Sequence, residues 1–238
     1  MPTIDLGFRL TGNRIPADHG YLLYGALSHV VPDMHRPQRA AGDDPETDSA
    51  RSSLRGPLWE AVAVHPVNGQ LCGGRHLALT SKSRLTLRVQ SERIGELLPL
   101  AGKRLTVADG AVLVGVPEVH PLHPAPSLRC RLVTIKGFTE PGPFLDAVRR
   151  QLVALGIEGA PGLVKRTGTR SLEGRSAASD DRSPFVRRTL RIRNKEVVGY
   201  AVEVTGLDAD ESIRLQETGV GGRRRFGCGV FVPTETER

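Results

Sequence analysis

The sequence predicts an α+β protein built from two successive β-α-β-β-α-β units. Three observations carry this. Runs of alternating apolar and polar residues mark strands, and runs with apolar positions every three or four residues mark helices. These runs occur in the same order twice, without detectable sequence repetition between the halves. The proline-rich stretch His120-Pro121-Leu122-His123-Pro124-Ala125-Pro126 breaks every pattern between them. At 238 residues the chain is long enough for two domains of about 120 residues, each burying its own core.

Residues 3–10 alternate as a first strand, closed by the turn Thr11-Gly12-Asn13. A helix follows with Asp18 as its expected N-cap, and Leu23, Leu27, Val30 and Met34 recur at helical spacing. Pro32 stops it after Val31. Residues 36–57 are rich in Pro, Asp, Arg and Gly without periodicity and read as a mobile loop, so Asp43, Asp44, Glu46 and Asp48 are not assigned as metal ligands. Strands are expected at 59–65, 76–80 and 84–89, a helix at 91–98, and strands at 104–108 and 111–119. The expected domain boundaries are 1–120, a linker at 121–127, and 128–238. In the second half a strand is expected at 128–138 and a helix at 143–155 with Phe144, Val148, Leu152 and Leu155 on one face. A long connection over 159–183 leads to a hairpin of strands at 186–193 and 197–205, a helix at 208–217 and a closing strand at 228–232. Twice over, this is the order of the split β-α-β, or ferredoxin-like (RRM-like), fold.

The chain carries 33 basic and 26 acidic residues, a net charge of +7, which suits a polyanionic partner. The excess is concentrated. Between residues 165 and 195 stand ten basic residues, most of them arginines, against only Glu173, Asp180 and Asp181. Arginine presents a planar fork matched to phosphate, so Arg187, Arg188, Arg191 and Arg193 in the hairpin are candidate nucleic-acid contacts. Aromatic residues make up 4% of the chain, which argues for recognition of shape and phosphate over base stacking. Cys72, Cys130 and Cys228 are scattered and form no Cys-x-x-Cys pair, the pattern of reduced cysteines in a cytoplasmic protein without a zinc site. Three prolines and no further nearby ligand argue against a metal at His120-Pro121-Leu122-His123. The N-terminus lacks a signal peptide's basic region and apolar core, and no apolar run is long enough to span a membrane.

The most informative stretch is Gly219-Val220-Gly221-Gly222-Arg223-Arg224-Arg225-Phe226-Gly227-Cys228-Gly229. Two glycine-hydrophobic-glycine pairs frame five residues, three of them arginines. Glycines permit positive φ and close backbone approach, and consecutive amides in such a loop can form an anion-binding concavity. A dinucleotide fingerprint would need glycine at 224, where arginine stands, and a Walker loop would need Gly-Lys-Ser/Thr, which is absent. Gly219, Gly221, Gly222, Arg223, Arg224, Arg225, Gly227 and Gly229 are therefore the candidate phosphate-backbone cradle.

A loop of this form between the last helix and last strand of a second ferredoxin-like domain resembles the signature of the RAMP superfamily. Within it, the chain resembles the repeat-specific endoribonuclease that processes CRISPR precursor transcripts. Gly219, Val220, Gly221, Gly227, Cys228 and Gly229 fit that loop, and the first helix with its ending Val31-Pro32-Asp33-Met34-His35 is also similar. The resemblance implies cleavage without metal or cofactor: a 2′-hydroxyl attacks the adjacent phosphorus, giving a 2′,3′-cyclic phosphate and a 5′-hydroxyl. It implies CRISPR repeat RNA as the partner, with further subunits of a CRISPR effector complex. It places the catalytic histidine at the end of the first helix, which here is His35. His19 is the second candidate, as catalyst or substrate-positioning residue, and His29 the third. On one straight helix the sixteen residues from His19 to His35 would span roughly 24 Å, so the two cannot share one phosphate unless the helix bends. Histidine suits proton transfer because its pKa lies near working pH. Where the family often carries a tyrosine on the inner face of this helix, Ser28 stands here, leaving Tyr24 or an arginine for the second catalytic role. Binding is expected in the cleft between the domains. A scaffold subunit of the same superfamily that binds guide RNA without cutting it, and a regulator binding a phosphorylated metabolite, are the competing readings.

Overall fold

The computed structural model describes residues 1–35, 56–166 and 183–234. The expected mobile loop at 36–57 lies almost wholly outside the described residues, as does much of the long basic connection, including Arg170, Arg175 and Arg182. Contacts divide the chain into two compact units: Met1–Leu122 together with Arg224–Gly227, and His123–Arg223 together with Cys228–Arg238. The short segment from the glycine loop falls in the first unit because Phe226 packs against that unit's core.

In the first unit, β1 (Thr3–Gly12) and β2 (Arg14–Pro16) lead into α1 (Gly20–Val30). A short α2 (Leu58–Ala61), β3 (Ala63–Val64), β4 (Gln70–Cys72), β5 (His76–Ala78) and β6 (Arg84–Gln90) follow. Then come α3 (Ile94–Leu97), flanked by 3-10 turns, β7 (Arg104–Val107) and β8 (Gly110–Pro121). The main sheet runs β3-β6-β1-β8-β7, every neighbouring pair antiparallel. Omitting the edge strand β7, the four strands of the motif stand in the order 2-3-1-4, which is the split β-α-β topology. Ile4, Leu6, Phe8 and Leu10 alternate along β1 into the core, opposite Leu85, Leu87 and Val89 of β6. Each such fully buried side chain contributes about 1.5–3 kcal/mol. Strands β2, β5 and β4 form a separate small sheet.

Three local differences from the sequence reading have physical causes. Residues 59–65 are not one strand: Leu58–Ala61 coils first, and only Ala63–Val64 pairs with β6. The N-cap position of α1 is His19 rather than Asp18, without a side-chain capping hydrogen bond, the His19 ring turning inward onto other backbone groups. Strand β8 continues through Pro121, since Ile4 at the start of β1 still lies opposite it. As expected, Pro32 ends α1 and starts a 3-10 turn over Pro32–Met34, with His35 as the residue after it.

The second unit contains β9 (Ser127–Val133), α4 (Pro141–Ala154), β10 (Ala160–Leu163), β11 (Arg187–Ile192), β12 (Lys195–Thr205), α5 (Ala209–Thr218) and β13 (Phe231–Pro233). Its sheet runs β10-β12-β9-β13, again 2-3-1-4, with β11 pairing along the other end of β12. Strand β10 falls inside the stretch read as a connection; Ala-Pro-Gly-Leu carries no strand signal and pairs because β12 offers its edge. The closing strand is shorter than expected and starts at Phe231, because positive φ at Gly227 and Gly229 keeps the preceding residues out of the ladder. Asp208 caps α5 through a capping box with Glu211. The core joins Phe144, Val148 and Leu152 of α4 to Tyr200, Val202 and Val204 of β12.

Candidate active site

The two leading histidines occupy opposite environments. His19 is 2% exposed. Its Nδ1–H donates to the Pro16 carbonyl at 3.0 Å, and its Nε2 accepts from the Val67 amide at 2.9 Å. Both nitrogens are engaged with buried backbone, so the ring ties β2 and α1 to the segment around Val67, with no lone pair left for a ribose hydroxyl. The geometry gives His19 a structural part. His29 is on the exposed side of α1, its Nδ1–H donating back to Gly25 O at 2.7 Å. His35 is exposed, directly after the 3-10 turn, its amide closing that turn on Pro32 O at 2.7 Å. Of the three, it alone is exposed with no ring hydrogen bond to a backbone carbonyl among the described residues.

Tyr24 holds the turn that carries His35. Its hydroxyl donates to the Met34 carbonyl, and Ser28 Oγ donates to Tyr24 O at 2.9 Å. Burial raises the Tyr24 phenol's pKa, with the Arg225 charge opposing it. A phenol with its proton on a backbone carbonyl is a brace rather than an acid. Around it, within the same unit, is an aromatic cluster. Tyr21 and Tyr24 meet the Phe226 ring edge-on, with centroids 5.5 and 5.3 Å away. The Arg225 guanidinium lies 4.9 Å from the Phe226 centroid, 5.5 Å from Trp59 and 5.8 Å from Tyr24. Tyr21, Tyr24 and Arg225 were readable as motif residues; Trp59, the chain's single tryptophan, sits in a stretch with no motif and was not.

On the face of the first sheet opposite its core stands a second polar cluster that no sequence pattern announces. Arg88, 2% exposed, clamps Asp5 with Nε at 2.7 Å and Nη2 at 2.8 Å, and His65 Nε2 lies 3.2 Å from Asp5 Oδ1. Burial alone would raise the Asp5 pKa, but the hydrogen bonds of Arg88 and His65 hold it well below the usual carboxylate range. Burial depresses the pKa of His65, the Arg88 and Arg224 charges adding to this against the pull of Asp5. The pairing of Asp5 with Arg88 across β1 and β6 is set by strand register, which single-sequence patterns do not reveal.

The loop's glycine amides do not form an open anion cradle. Gly219 N–H donates to Leu215 O, Gly221 N–H to Gln151 Oε1, Gly222 N–H to Thr134 O, Gly227 N–H to Arg224 O and Gly229 N–H to Leu132 O, all between 2.7 and 3.1 Å. These five glycine amides are occupied by protein acceptors. The glycines shape the chain instead: a Cβ at Gly221, whose φ is +79°, would lie 2.5 Å from Thr134 O. What the loop offers is its half-buried arginine side chains. Arg223 takes positive φ and reaches Thr134 Oγ1 at 3.5 Å.

In the second unit, Arg187, Arg188, Arg191 and Arg193 are all exposed but do not form one stripe. Arg187 and Arg191 lie on one face of β11, Arg188 lies on the other, and Arg193 makes the turn with φ +53°. Register places Arg188 on the face of Arg129, and burial together with the Arg129 charge lowers the Arg188 pKa. Arg129 was missed because alternation marks it only as an outward strand residue. Cys72, Cys130 and Cys228 form no disulfide among the described residues, and burial pushes Cys130 up to about 12. Among the described residues no group of three or more His, Cys, Asp or Glu side chains could hold a metal ion, and no helix is long and apolar enough to cross a membrane.

Two ferredoxin-like folds in one chain, with a glycine-framed arginine loop after the last helix and an exposed histidine after the first, define a RAMP-type protein. The chain matches the family model described as Cas6 Crispr over residues 4–236, and it belongs to the Cas6 family. It is 35% identical over 233 residues to the CRISPR-associated endonuclease Cas6 of Myxococcus xanthus (strain DK1622), covering 98% of this chain and 82% of that one. The fold is similar to that of a Cas6-related protein from Pyrococcus furiosus, with TM-score 0.60, 13% identity, and coverage of 99% of this chain and 100% of that one. It is equally similar, at TM-score 0.60 and 11% identity, to a structure described as a RAMP protein binding different RNA substrates, covering 98% of this chain and 100% of that one.

Proposed function

We propose that this chain is an endoribonuclease that binds CRISPR repeat RNA and cuts it without a metal ion to yield mature guide RNA. The observation that carries the reading is the exposed imidazole of His35, held on a braced turn in a chain whose 35%-identical relative is named an endonuclease. In the reaction the upstream 2′-oxygen bonds to phosphorus as the bond to the 5′-oxygen breaks. The 2′-hydroxyl proton leaves to a base, and the 5′-oxygen takes a proton from an acid. His35 fills one of these proton-transfer roles. Arginine side chains offset the charge that builds on the phosphorane. RNA is selected over DNA because the nucleophile is the 2′-hydroxyl. The net +7 charge and the exposed hairpin arginines supply the sequence-independent part of binding.

The test is incubation with repeat RNA in excess EDTA. Cleavage should persist, should vanish when the nucleotide upstream of the cut is 2′-deoxy, and should vanish in His35→Ala but not in His123→Ala, an exposed control. Tight binding without cutting by the wild-type chain would assign it instead to the RNA-binding scaffolds of the superfamily.

A further inference from the structure

We infer that Arg225, although it sits at the centre of the arginine triplet, is not an RNA ligand but a positioning residue that sets the turn carrying His35, acting through Tyr24. This rests on the cleavage reading above and departs from the expectation that all three loop arginines lie on the RNA backbone. The guanidinium is within 6 Å of the centroids of three rings, those of Tyr24, Trp59 and Phe226. A cation over an aromatic face is attracted by the ring's quadrupole, and three such faces leave it little reason to leave for a solvated phosphate. Phe226 then packs edge-on against Tyr24, fixing that ring from a second side. The Tyr24 hydroxyl in turn holds the Met34 carbonyl, the group one peptide before His35. A continuous set of contacts therefore runs from the loop to the backbone of the candidate catalytic residue. Misplacing a proton-transfer group by about 1 Å can cost on the order of a hundredfold in rate. The charge of Arg224, adjacent in sequence, acts on a different group, His65, so the triplet is not one uniform patch.

Positioning by Arg225 differs from simple phosphate binding in its kinetics and in its response to salt. Single-turnover cleavage at saturating enzyme is measured for wild type, Arg225→Gln, Arg225→Lys and Tyr24→Phe. Affinity for a 2′-deoxy, uncleavable repeat RNA is measured over a salt series. A positioning role predicts that Arg225→Gln cleaves about ten- to a hundredfold more slowly at saturation. Its affinity should stay within about twofold, and the slope of log affinity against log salt should be unchanged. Arg225→Lys, which keeps a cation over the rings, should recover part of the rate. Tyr24→Phe keeps the ring and removes only the bond to Met34, so it should show the same loss of rate at unchanged affinity even if the glutamine variant folds poorly. The emission of Trp59, the only tryptophan, should shift in Arg225→Gln and report the emptied cluster. A salt slope lowered by about 0.7 with the saturated rate retained would make Arg225 a phosphate ligand and overturn the inference. So would wild-type rates in both Arg225→Gln and Tyr24→Phe. If the wild-type chain cuts nothing, the function reading fails on its own, and the salt slope still decides whether Arg225 touches RNA.

Discussion

His19 and His35 bracket one helix, and their sequence surroundings made both plausible acid–base residues. In the folded chain one is sealed between a carbonyl and an amide, and the other stands in solvent beyond a proline-capped turn. The difference shows how residue type proposes a chemistry and environment disposes of it. An imidazole with both nitrogens committed stabilises the fold, whereas an imidazole exposed to solvent can move protons. His65 adds a third case, a buried ring leaning on a carboxylate that is itself held by a buried arginine.

The comparison breaks most directly at His35. His35→Ala should lower the single-turnover cleavage rate by about 10²–10⁴-fold and leave the thermal midpoint unchanged, because an exposed side chain contributes little to stability. Wild-type cleavage by this variant would remove the distinction between the helix ends. Next in size is the cluster around His65. Asp5→Ala leaves the Arg88 guanidinium buried without its partner and should destabilise the protein by about 3–5 kcal/mol, read as a shift of the urea midpoint. A smaller loss, about 2 kcal/mol, is expected for His19→Ala, which strands the Pro16 carbonyl and the Val67 amide. Cleavage per folded molecule should survive that change, which would confirm His19 as structural; a fully folded but inactive variant would restore it as a catalyst.

The smallest effect concerns pH. Both members of the Asp5–His65 pair have folded pKa values below their unfolded ones. A group depressed in this way contributes stability that is complete above its unfolded pKa and is lost as pH falls through the folded value. For His65 the loss begins below about 6.5, and for Asp5 below about 3.9. Urea midpoints measured from pH 8 downward should therefore begin to fall near pH 6.5, and His65→Gln should flatten that first step while leaving the later acid loss. A midpoint equally steep near pH 6.5 in the variant would assign the step elsewhere.

Much of this protein was readable before folding. Alternation in residues 3–10 and 197–205 found the central strands because one face of each is buried, and that burial writes itself into the sequence as a period of two. Pro32 announced the end of the first helix, and the last helix, expected at 208–217, forms over Ala209–Thr218. Strand β10 escaped because its pairing is supplied by an edge of β12 rather than by its own residues. The glycine loop was found but misjudged: sequence shows where the backbone is free to bend, not which acceptors its amides will meet.

By itself, the sequence determined the doubled fold order, the excess of positive charge and the short set of histidines and arginines worth considering, since these depend on neighbours a few positions away. Only the tertiary structure decided that His19 is sealed, that Arg225 rests among three rings, that the loop's glycine amides are spent and that Asp5 meets Arg88 and His65. Deciding partners among them lie far apart along the chain, Val67 48 residues from His19 and Arg225 201 residues from Tyr24. Hydrogen bonds and ring contacts at such separations arise from register and packing, which local patterns do not encode.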